Sequence, residues 1–263
     1  MTRLCPLFSG SSGNSYYIGS ASEGILIDCG KNAKQIVNAL ADNRLDIKNV
    51  RAVFVTHEHI DHSSALRVLA SKYRIKVYAS EGTINALEEK GLINEKVDIS
   101  PLTYEGTEAA GMFVKPFRIS HDCREGFGFT VAGSDGRRTA FVTDTGTITD
   151  EILSAVCGCD TVVLESNHDI GMLRMGPYPY VLKQRILSER GHLSNDLCAE
   201  TAVRLVSSGT TRIFLAHLSK ENNFPELAKQ ASLSLLEQNR MKQDIDFMLS
   251  VVPEKYTSGS IIY

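Results

Sequence analysis

Histidines and an aspartate cluster in one short stretch of this 263-residue chain. The stretch runs from His57 to His62 with the pattern H-x-H-x-D-H, and it directly follows the apolar run of residues 50–55. His57 and His59 are two positions apart, so in an extended segment both imidazoles project to the same side and can bind one ion. Asp61 and His62 lie past the bend and are better placed for a second ion. Because burying these groups without partners would be costly, the spacing indicates a metal centre.

Four more polar residues follow apolar runs elsewhere in the chain. His121, Asp144, Glu165 and His217 each stand at the carboxyl end of a run that is typical of a buried strand. Strand ends that meet at one edge of a sheet bring residues distant in sequence into one site. The expected metal ligands are His57, His59, Asp61, His62, His121, Asp144 and His217. This set offers imidazole and carboxylate but no thiolate, which suits zinc or manganese, with iron as an alternative.

Seven ligands for two ions require one shared carboxylate, and we expect Asp144 to be the bridge. The first ion is expected on His57, His59, His121 and Asp144, and the second on Asp61, His62, Asp144 and His217. Two such ions, about 3.5 to 4 Å apart, lower the pKa of a water bound between them to about 7, so that it is available as hydroxide at neutral pH. The expected chemistry is hydrolysis, and phosphoryl esters gain most because charge develops on both the attacking and the leaving oxygens.

Two histidines stand apart from this ligand set. A lone histidine such as His168 or His192 is as readily explained by a structural hydrogen bond as by a functional role. For both residues the two explanations stay open on the residues alone.

Alternating short strands and helices position these residues. The expected strands are residues 15–18, 24–28, 50–55, 75–78, 113–120, 126–132, 139–143, 161–164 and 212–216. The expected helices are residues 31–41, 63–73, 82–90, 181–190, 196–207 and 224–237. The rhythm indicates an α/β fold. Since no linker or repeat interrupts it, we expect one domain over residues 1–263.

Composition excludes several classes of protein. The chain is 43% hydrophobic and 22% charged with a formal net charge of -3, which is ordinary for a globular protein. A nucleic-acid partner would therefore need a local basic patch. No apolar run approaches the roughly 20 residues of a membrane span, the start of the chain does not resemble a secretory signal, and six scattered cysteines indicate reduced thiols. We expect a cytoplasmic protein with no membrane association.

The histidine cluster resembles the signature of the metallo-β-lactamase-fold hydrolases, H-x-H-x-D-H, in full. The family's later motifs are similar to SHD around His121, TDTG around Asp144 and AHL around His217. The glycine-rich start and the string LIDCG at residues 26–30 resemble the family's first strands, so the resemblance covers nearly the whole chain. It implies a metallo-β-lactamase-like four-layer αββα sandwich, helix-sheet-sheet-helix, with the metal site at one edge between the two sheets.

A narrower resemblance is to the WalJ/YycJ (VicX) exonuclease group of that family. It is carried by FSGSSGNS at residues 8–15, ESNHD at 165–169, MLRMGPYP at 172–179 and GHLSN at 191–195. The resemblance implies a DNA exonuclease that acts 5′ to 3′ on double-stranded ends, with a link to mismatch repair. It also implies that in some bacteria the protein is found beside a two-component cell-wall regulatory system. The substrate class rests on this resemblance alone.

Nuclease relatives that process transfer RNA imply a pair of residues for proton transfer. They place a glutamate after a strand and a histidine in a later H-S/T segment, and Glu165 and His192 occupy matching places here. Leu193 follows His192 where that pattern has a hydroxyl residue. We expect His192 to act as the general acid, Glu165 to orient it, and Asp61 to belong to the catalytic set.

Other functions remain open on the residues alone. Residues 174–190 carry four basic side chains with two tyrosines among them, a pattern that suits phosphate contact and base stacking or an ordinary solvated helix face. The alternatives to a DNA exonuclease are a small-molecule metallohydrolase acting on a thioester, lactone or cyclic nucleotide, an RNA-processing nuclease of the same fold, and a non-catalytic metal-bound binding module. No protein partner can be inferred.

Overall fold

A computed structural model describes residues 2–254 and the backbone of residues 261 and 262. Its strands are β1 (Arg3–Phe8), β2 (Ser15–Gly19), β3 (Gly24–Ile27), β4 (Val50–Phe54), β5 (Lys76–Ala79), β6 (Ile99–Pro101), β7 (Thr107–Ala109), β8 (Met112–Arg118), β9 (Phe127–Ala132), β10 (Arg138–Val142), β11 (Thr161–Glu165), β12 (Arg212–Ala216), β13 (Met248–Val251) and β14 (Ile261–Ile262). Its α-helices are α1 (Ala33–Asp42), α2 (Ile60–Ser63), α3 (Leu66–Tyr73), α4 (Glu81–Glu89), α5 (Asp150–Val156), α6 (Ile170–Met175), α7 (Tyr180–Ile186), α8 (Asn195–Ser207) and α9 (Pro225–Gln238). Each strand expected from the sequence is present.

The chain divides into two compact units. The first comprises residues 1–116, 123–136 and 254–263, and the second comprises residues 117–122 and 137–253. Each unit buries an apolar cluster of its own. The expectation of one domain over residues 1–263 stays a prediction. Among residues 2–254, no helix combines the length and the apolar character that crossing a membrane requires.

The first unit contains a seven-stranded sheet in the order β14-β1-β2-β3-β4-β5-β6. Strands β3 to β6 pair in parallel, and their apolar side chains are largely buried, as is typical of parallel sheets. Helices α1 and α3 contribute Ile36, Leu40 and Leu69 to the same apolar cluster. Because parallel strands end at a common edge, the residues that follow β3 and β4 lie close together there.

The helix expected over residues 63–73 corresponds to α3, which begins three residues later, and a separate short helix, α2, precedes it. Helix α2 begins directly after His59, and α3 begins only at Leu66. Between them the Ala65 N–H donates to Cys29 O at 2.9 Å, outside the helical pattern. This hydrogen bond attaches the residues between α2 and α3 to the segment after β3. Asp61 and His62 therefore lie on a short helix of their own.

The second unit contains β10, β11, β12 and β13, which pair in parallel in that order. Helices α5, α8 and α9 contribute buried residues to the apolar cluster that includes these strands, among them Ile152, Leu205 and Leu236. Parallel pairing brings the carboxyl ends of β10, β11 and β12 to one edge. Asp144 follows β10, Glu165 ends β11 and His217 follows β12, so the pairing predicts that these three residues lie close together.

Helix α7 is shorter than the helix expected over residues 181–190. It begins one residue earlier and ends four residues earlier, at Ile186. The chain then folds back, and the His192 N–H donates to Ile186 O at 3.0 Å. A Cβ atom on Gly191 would lie 2.2 Å from that same carbonyl oxygen, so only glycine allows this approach. The turn places His192 beside the end of α7.

Candidate active site

Asp28 holds one side of the histidine cluster in the first unit. Its buried carboxylate accepts hydrogen bonds from Thr56 N–H at 2.8 Å, from Thr56 Oγ1–H at 2.8 Å and from His62 Nδ1–H at 2.7 Å. Burial raises the pKa of Asp28. The charge and hydrogen bond of His62 and the two hydrogen bonds from Thr56 oppose that rise. With Nδ1 as the donor, His62 presents Nε2 as the nitrogen for a metal, the usual carboxylate–histidine–metal arrangement.

The other three predicted ligands of the first unit lie near His62. The His57 ring centroid is 4.5 Å from that of His59 and 4.2 Å from that of His62. Asp61 Oδ2 is 3.6 Å from His62 Nε2. Asn14 Nδ2 lies 3.0 Å from the same nitrogen, so a cation bound to His62 Nε2 would replace that contact. The structure thus brings His57, His59, Asp61 and His62 together.

Backbone contacts position Asp61. The Asn14 N–H donates to Asp61 O at 2.7 Å, and the Gly30 N–H donates to Asn14 O at 2.8 Å. A Cβ atom on Gly30 would lie 1.5 Å from Asp61 O, so this close approach depends on glycine. The glycine-rich start and the LIDCG string therefore act as the support for Asp61.

The second unit holds a compact cluster of Asp144, Glu165, His192 and His217, each of which offers a potential ligand atom within 4.8 Å of the others. His217 Nδ1 lies 2.9 Å from Asp144 Oδ1 and 3.6 Å from Glu165 Oε1. His192 Nδ1 lies 2.7 Å from Glu165 Oε1 and 3.6 Å from Asp144 Oδ1. The convergence expected from the three parallel strand ends is confirmed.

The Glu165 carboxylate has a full set of hydrogen bonds. Oε2 accepts from Thr145 N–H at 2.8 Å and Leu193 N–H at 3.3 Å, and Oε1 accepts from His192 Nδ1–H. Glu165 is buried, so these bonds compensate a charge that would otherwise be costly. Glu165 therefore fixes the orientation of the His192 ring through its bond to Nδ1.

His121 belongs to the same unit and is oriented by the turn that carries His192. Its Nδ1–H donates to Gly191 O at 2.9 Å, and its ring centroid is 5.0 Å from that of His192. Burial lowers the pKa of His121. The neutral imidazole with Nδ1 protonated is the form in which histidine binds a metal through Nε2.

Three of the strand-end residues adopt a left-handed backbone. The φ angles of Asp28, Asp144 and His217 are 60°, 56° and 55°. Such a conformation costs about 1 kcal/mol or more in a non-glycine residue and is concentrated at functional sites. The backbone of His217 is held in this conformation by Asn167, whose Nδ2–H donates to His217 O at 2.9 Å. This contact is called the Asn167 clamp.

The clamp on His217 is itself held by buried amides. Asn223 Nδ2–H donates to Asn167 O at 3.1 Å and to Asn195 Oδ1 at 2.9 Å. These asparagines and Asp28 were not expected as site residues. Asp28 has the same sequence signal as Asp144, an acidic residue at the carboxyl end of a buried strand, whereas the asparagines have no signal at the level of single residues.

The two histidines outside the expected ligand set differ sharply. Burial lowers the pKa of His192, but the charge and hydrogen bond of Glu165 and the charge of Asp144 outweigh it and raise that pKa to about 9. His168 is 1% exposed, and neither of its ring nitrogens has a hydrogen-bond partner among the described residues. Burial lowers the pKa of His168 to about 4. Near neutral pH these shifts favour the protonated imidazole at His192 and the neutral imidazole at His168.

The donor groups of both units fit divalent cations. In the second unit, the buried Asp144 and Glu165 carboxylates outweigh the burial of His217 and raise its pKa. Positive charge is therefore favoured beside Asp144, and a bound cation would supply it. Nitrogen and carboxylate ligands without thiolate match zinc, manganese or iron rather than a soft-metal site.

Comparison with known proteins places the chain in a family. The model of the β-lactamase superfamily domain matches residues 24–218. The chain is 38% identical over 240 residues to the exodeoxyribonuclease YycJ of Bacillus anthracis, covering 88% of this chain and 88% of that protein. It is 38% identical over 245 residues to the exodeoxyribonuclease WalJ of Streptococcus pneumoniae, covering 92% of this chain and 90% of that protein.

A solved structure shows the same fold. The metallo-β-lactamase-fold protein YhfI of Bacillus subtilis superposes with a TM-score of 0.71 over 97% of this chain and 98% of that one, at 12% identity. The expected fold class is confirmed, and so is the resemblance carried by the H-x-H-x-D-H cluster and the four longer strings. The chain belongs to the β-lactamase superfamily and, within it, to the family of the YycJ and WalJ exodeoxyribonucleases.

Proposed function

We propose that this protein is a metal-dependent exodeoxyribonuclease that hydrolyses the phosphodiester bonds of DNA from duplex ends in the 5′ to 3′ direction, in the service of DNA repair. The observation that carries the proposal is the Glu165–His192 pair, with 2.7 Å between Oε1 and Nδ1, beside Asp144 and His217. It occurs in a chain 38% identical to exodeoxyribonucleases over most of its length. A positioned proton donor next to metal-binding groups is what phosphodiester hydrolysis requires.

The proposed ligands are the seven residues expected from the types and spacing of the residues in the sequence. His57, His59, His121 and Asp144 hold one zinc or manganese ion, and Asp61, His62, Asp144 and His217 hold the other. When bound, such ions supply a hydroxide nucleophile and stabilise charge on phosphoryl oxygens. The Nδ1 atom of each of three ligand histidines is hydrogen-bonded within the protein. His57 Nδ1 bonds to Thr56 Oγ1, His62 Nδ1 to the Asp28 carboxylate, and His121 Nδ1 to Gly191 O. These contacts orient Nε2 of each ring for coordination.

The proposed general acid is His192. The leaving oxygen must gain a proton after phosphorus is attacked, and a histidine whose carboxylate partner raises its pKa holds that proton at neutral pH. The pKa of about 9 for His192 meets this condition, and the pKa of about 4 for His168 does not. Glu165 fixes the ring by its bond to Nδ1, so the proton to be donated is on Nε2. Asp61 completes the catalytic set as a ligand.

A substrate panel tests the proposed function. Purified protein is incubated with duplex DNA, single-stranded DNA, RNA and a small phosphodiester ester, with manganese, magnesium or zinc supplied separately. DNA labelled at the 5′ end of a duplex is expected to release its label first, as the shortest products, and only with a metal present. Preferential cleavage of RNA, or cleavage of the small ester with intact DNA, would contradict the proposal and favour the alternative hydrolases.

The bridging role of Asp144 predicts the metal content of two variants. Asp144→Ala should lower the occupancy of both ions because it removes a ligand from each, whereas Asp61→Ala should lose mainly the second ion. Elemental analysis of the purified proteins measures both effects. Asp42→Ala, which changes an exposed aspartate at the end of α1, is the matched control and should retain the parent content. Retention of two full equivalents in Asp144→Ala would exclude the bridge.

Loss of the proton donor predicts a slow enzyme that is otherwise intact. His192→Ala should retain both ions and nearly the parent affinity for duplex DNA, yet cleave about 100-fold more slowly or worse, the range expected for losing general-acid help. Single-turnover cleavage and elemental analysis are measured on the same preparation. Cleavage at the parent rate, or loss of metal, would show that His192 does not act as the acid.

The neutral, buried His168 predicts a stability change with pH. Its folded-state pKa of about 4 lies below the ordinary value of 6.5, so unfolding takes up a proton between these values. The stability that neutral His168 contributes to the folded protein is fully present above pH 6.5 and is lost as the pH falls to about 4. The free energy of unfolding should fall by about 3 kcal/mol over this range. Urea unfolding in the presence of a chelator should show this loss in the parent protein. His168→Phe should show a correspondingly smaller loss, and parallel pH profiles for the two proteins would contradict the assignment.

A further inference from the structure

Helices α6 and α7 in the second unit expose apolar side chains to an unusual degree. Met175 is 91% exposed, Tyr180 75% and Val181 78%. None of the seven residues of α7, all of them described, is buried. A short helix whose residues are at most half-buried has little to stabilise it, and a cluster of exposed apolar groups marks a surface that contacts something else.

The charge of this segment is opposite to that of the rest of the chain. Residues 170–190 carry four basic and one acidic side chain, a formal charge of +3 in a chain of -3, so all other residues together carry -6. Such a local concentration of positive charge in an acidic protein indicates a polyanionic partner.

A groove between α6 and α7 brings one of these exposed side chains, Tyr180, together with two of the basic ones. Its volume is about 550 Å³, and its lining is Ile170, Arg174, Tyr180, Lys183, Gln184 and Leu187, none of them acidic. Lys183 Nζ–H donates to Arg174 O at 2.7 Å, which holds the ammonium group at the backbone of α6. No hydrogen bond or ion pair with another described residue accounts for the Arg174 guanidinium, which is exposed. Two cations and an exposed aromatic ring thus face one groove.

The same segment leads to His192. Arg185 pairs with Asp122, and the Arg190 guanidinium donates to His121 O at 3.1 Å. The His192 N–H donates to the last carbonyl of α7. Two of the four basic residues therefore fix the segment beside His121 and His192, while Arg174 and Lys183 remain directed to the groove. A polyanion lying in the groove would be held next to the proposed proton donor.

We propose that the α6–α7 groove binds the DNA strand next to the bond that is cleaved, with Arg174 and Lys183 on its phosphates and the Tyr180 ring stacked on an unpaired base. The proposal rests on the proposed function and adds the site that grips the strand. Cationic side chains beside an exposed aromatic ring are the combination by which proteins hold single-stranded nucleic acid, because every base has a face on which a ring can stack.

Binding can be measured apart from cleavage. The probe is a fluorescent duplex with a short 5′ overhang whose terminal linkages are phosphorothioates, which keep the negative charge but resist hydrolysis. Fluorescence anisotropy with the protein as purified gives the affinity at several salt concentrations. The variants are Arg174→Ala, Lys183→Ala, Tyr180→Ala and Tyr180→Phe, and Arg204→Ala, an exposed arginine of α8, is the matched control.

The expected results separate stacking from charge. Tyr180→Ala should weaken binding at least about fivefold, the lower end of the effect of removing one stacking ring, and Tyr180→Phe should restore the parent affinity because it keeps the ring face. Arg174→Ala and Lys183→Ala should each weaken binding and reduce the slope of log affinity against log salt by about 0.7, the value for one lost phosphate contact on a single strand. Arg204→Ala should match the parent protein.

Two outcomes would overturn the groove assignment. The first is binding by the Arg174, Lys183 and Tyr180 variants that equals that of Arg204→Ala, and the second is tighter binding of an RNA probe of the same sequence than of the DNA probe. Neither outcome depends on cleavage. A parent protein that binds the probe through this groove but degrades no DNA would contradict the proposed function and leave the groove assignment standing.

Discussion

Burial of negative charge at the ends of parallel strands is the constraint on which the rest of the site depends. Glu165 and Asp144 are buried in the second unit, and a buried carboxylate costs several kcal/mol unless hydrogen bonds or positive charge compensate it. For Glu165 the compensation comes from Thr145 N–H, Leu193 N–H and His192. Because two of these donors belong to the backbone, satisfying one carboxylate also fixes the loop after β10 and the turn after α7. Orientation of His192 is a consequence of that requirement.

The first unit solves the same problem with a different residue set. Asp28 is fully buried after β3 and is satisfied by Thr56 and His62, both from the segment that follows β4. The pairing of neighbouring parallel strands makes this possible, since it brings the two segments to the same edge. The hydrogen bond that stabilises the Asp28 carboxylate also sets the tautomer of His62. In both units, therefore, the bonds that make burial tolerable are the bonds that orient the imidazoles.

Periodicity and motif spacing were sufficient to predict most of the strands and the convergence of Asp144, Glu165 and His217, because each of these residues stands at the carboxyl end of an expected buried strand. They were insufficient for β1, where Pro6 sits in a strand whose pairing shifts register between Pro6 and Phe8. A proline removes a backbone donor and reads as a break, and only tertiary pairing with an irregularity accommodates it. The end of α7 and the Asn167 clamp on His217 likewise depend on contacts between distant residues, which local patterns do not carry.

The central claim is that His192, held by Glu165, protonates the leaving oxygen. Its most direct test compares two duplexes that differ only at the first scissile linkage, where the leaving atom is oxygen in one and sulfur in the other. A thiolate leaves without being protonated, so it does not need the acid. His192→Ala should cleave the sulfur linkage at close to the parent rate while remaining about 100-fold slower on the oxygen linkage. Equal slowing on both linkages would contradict the claim.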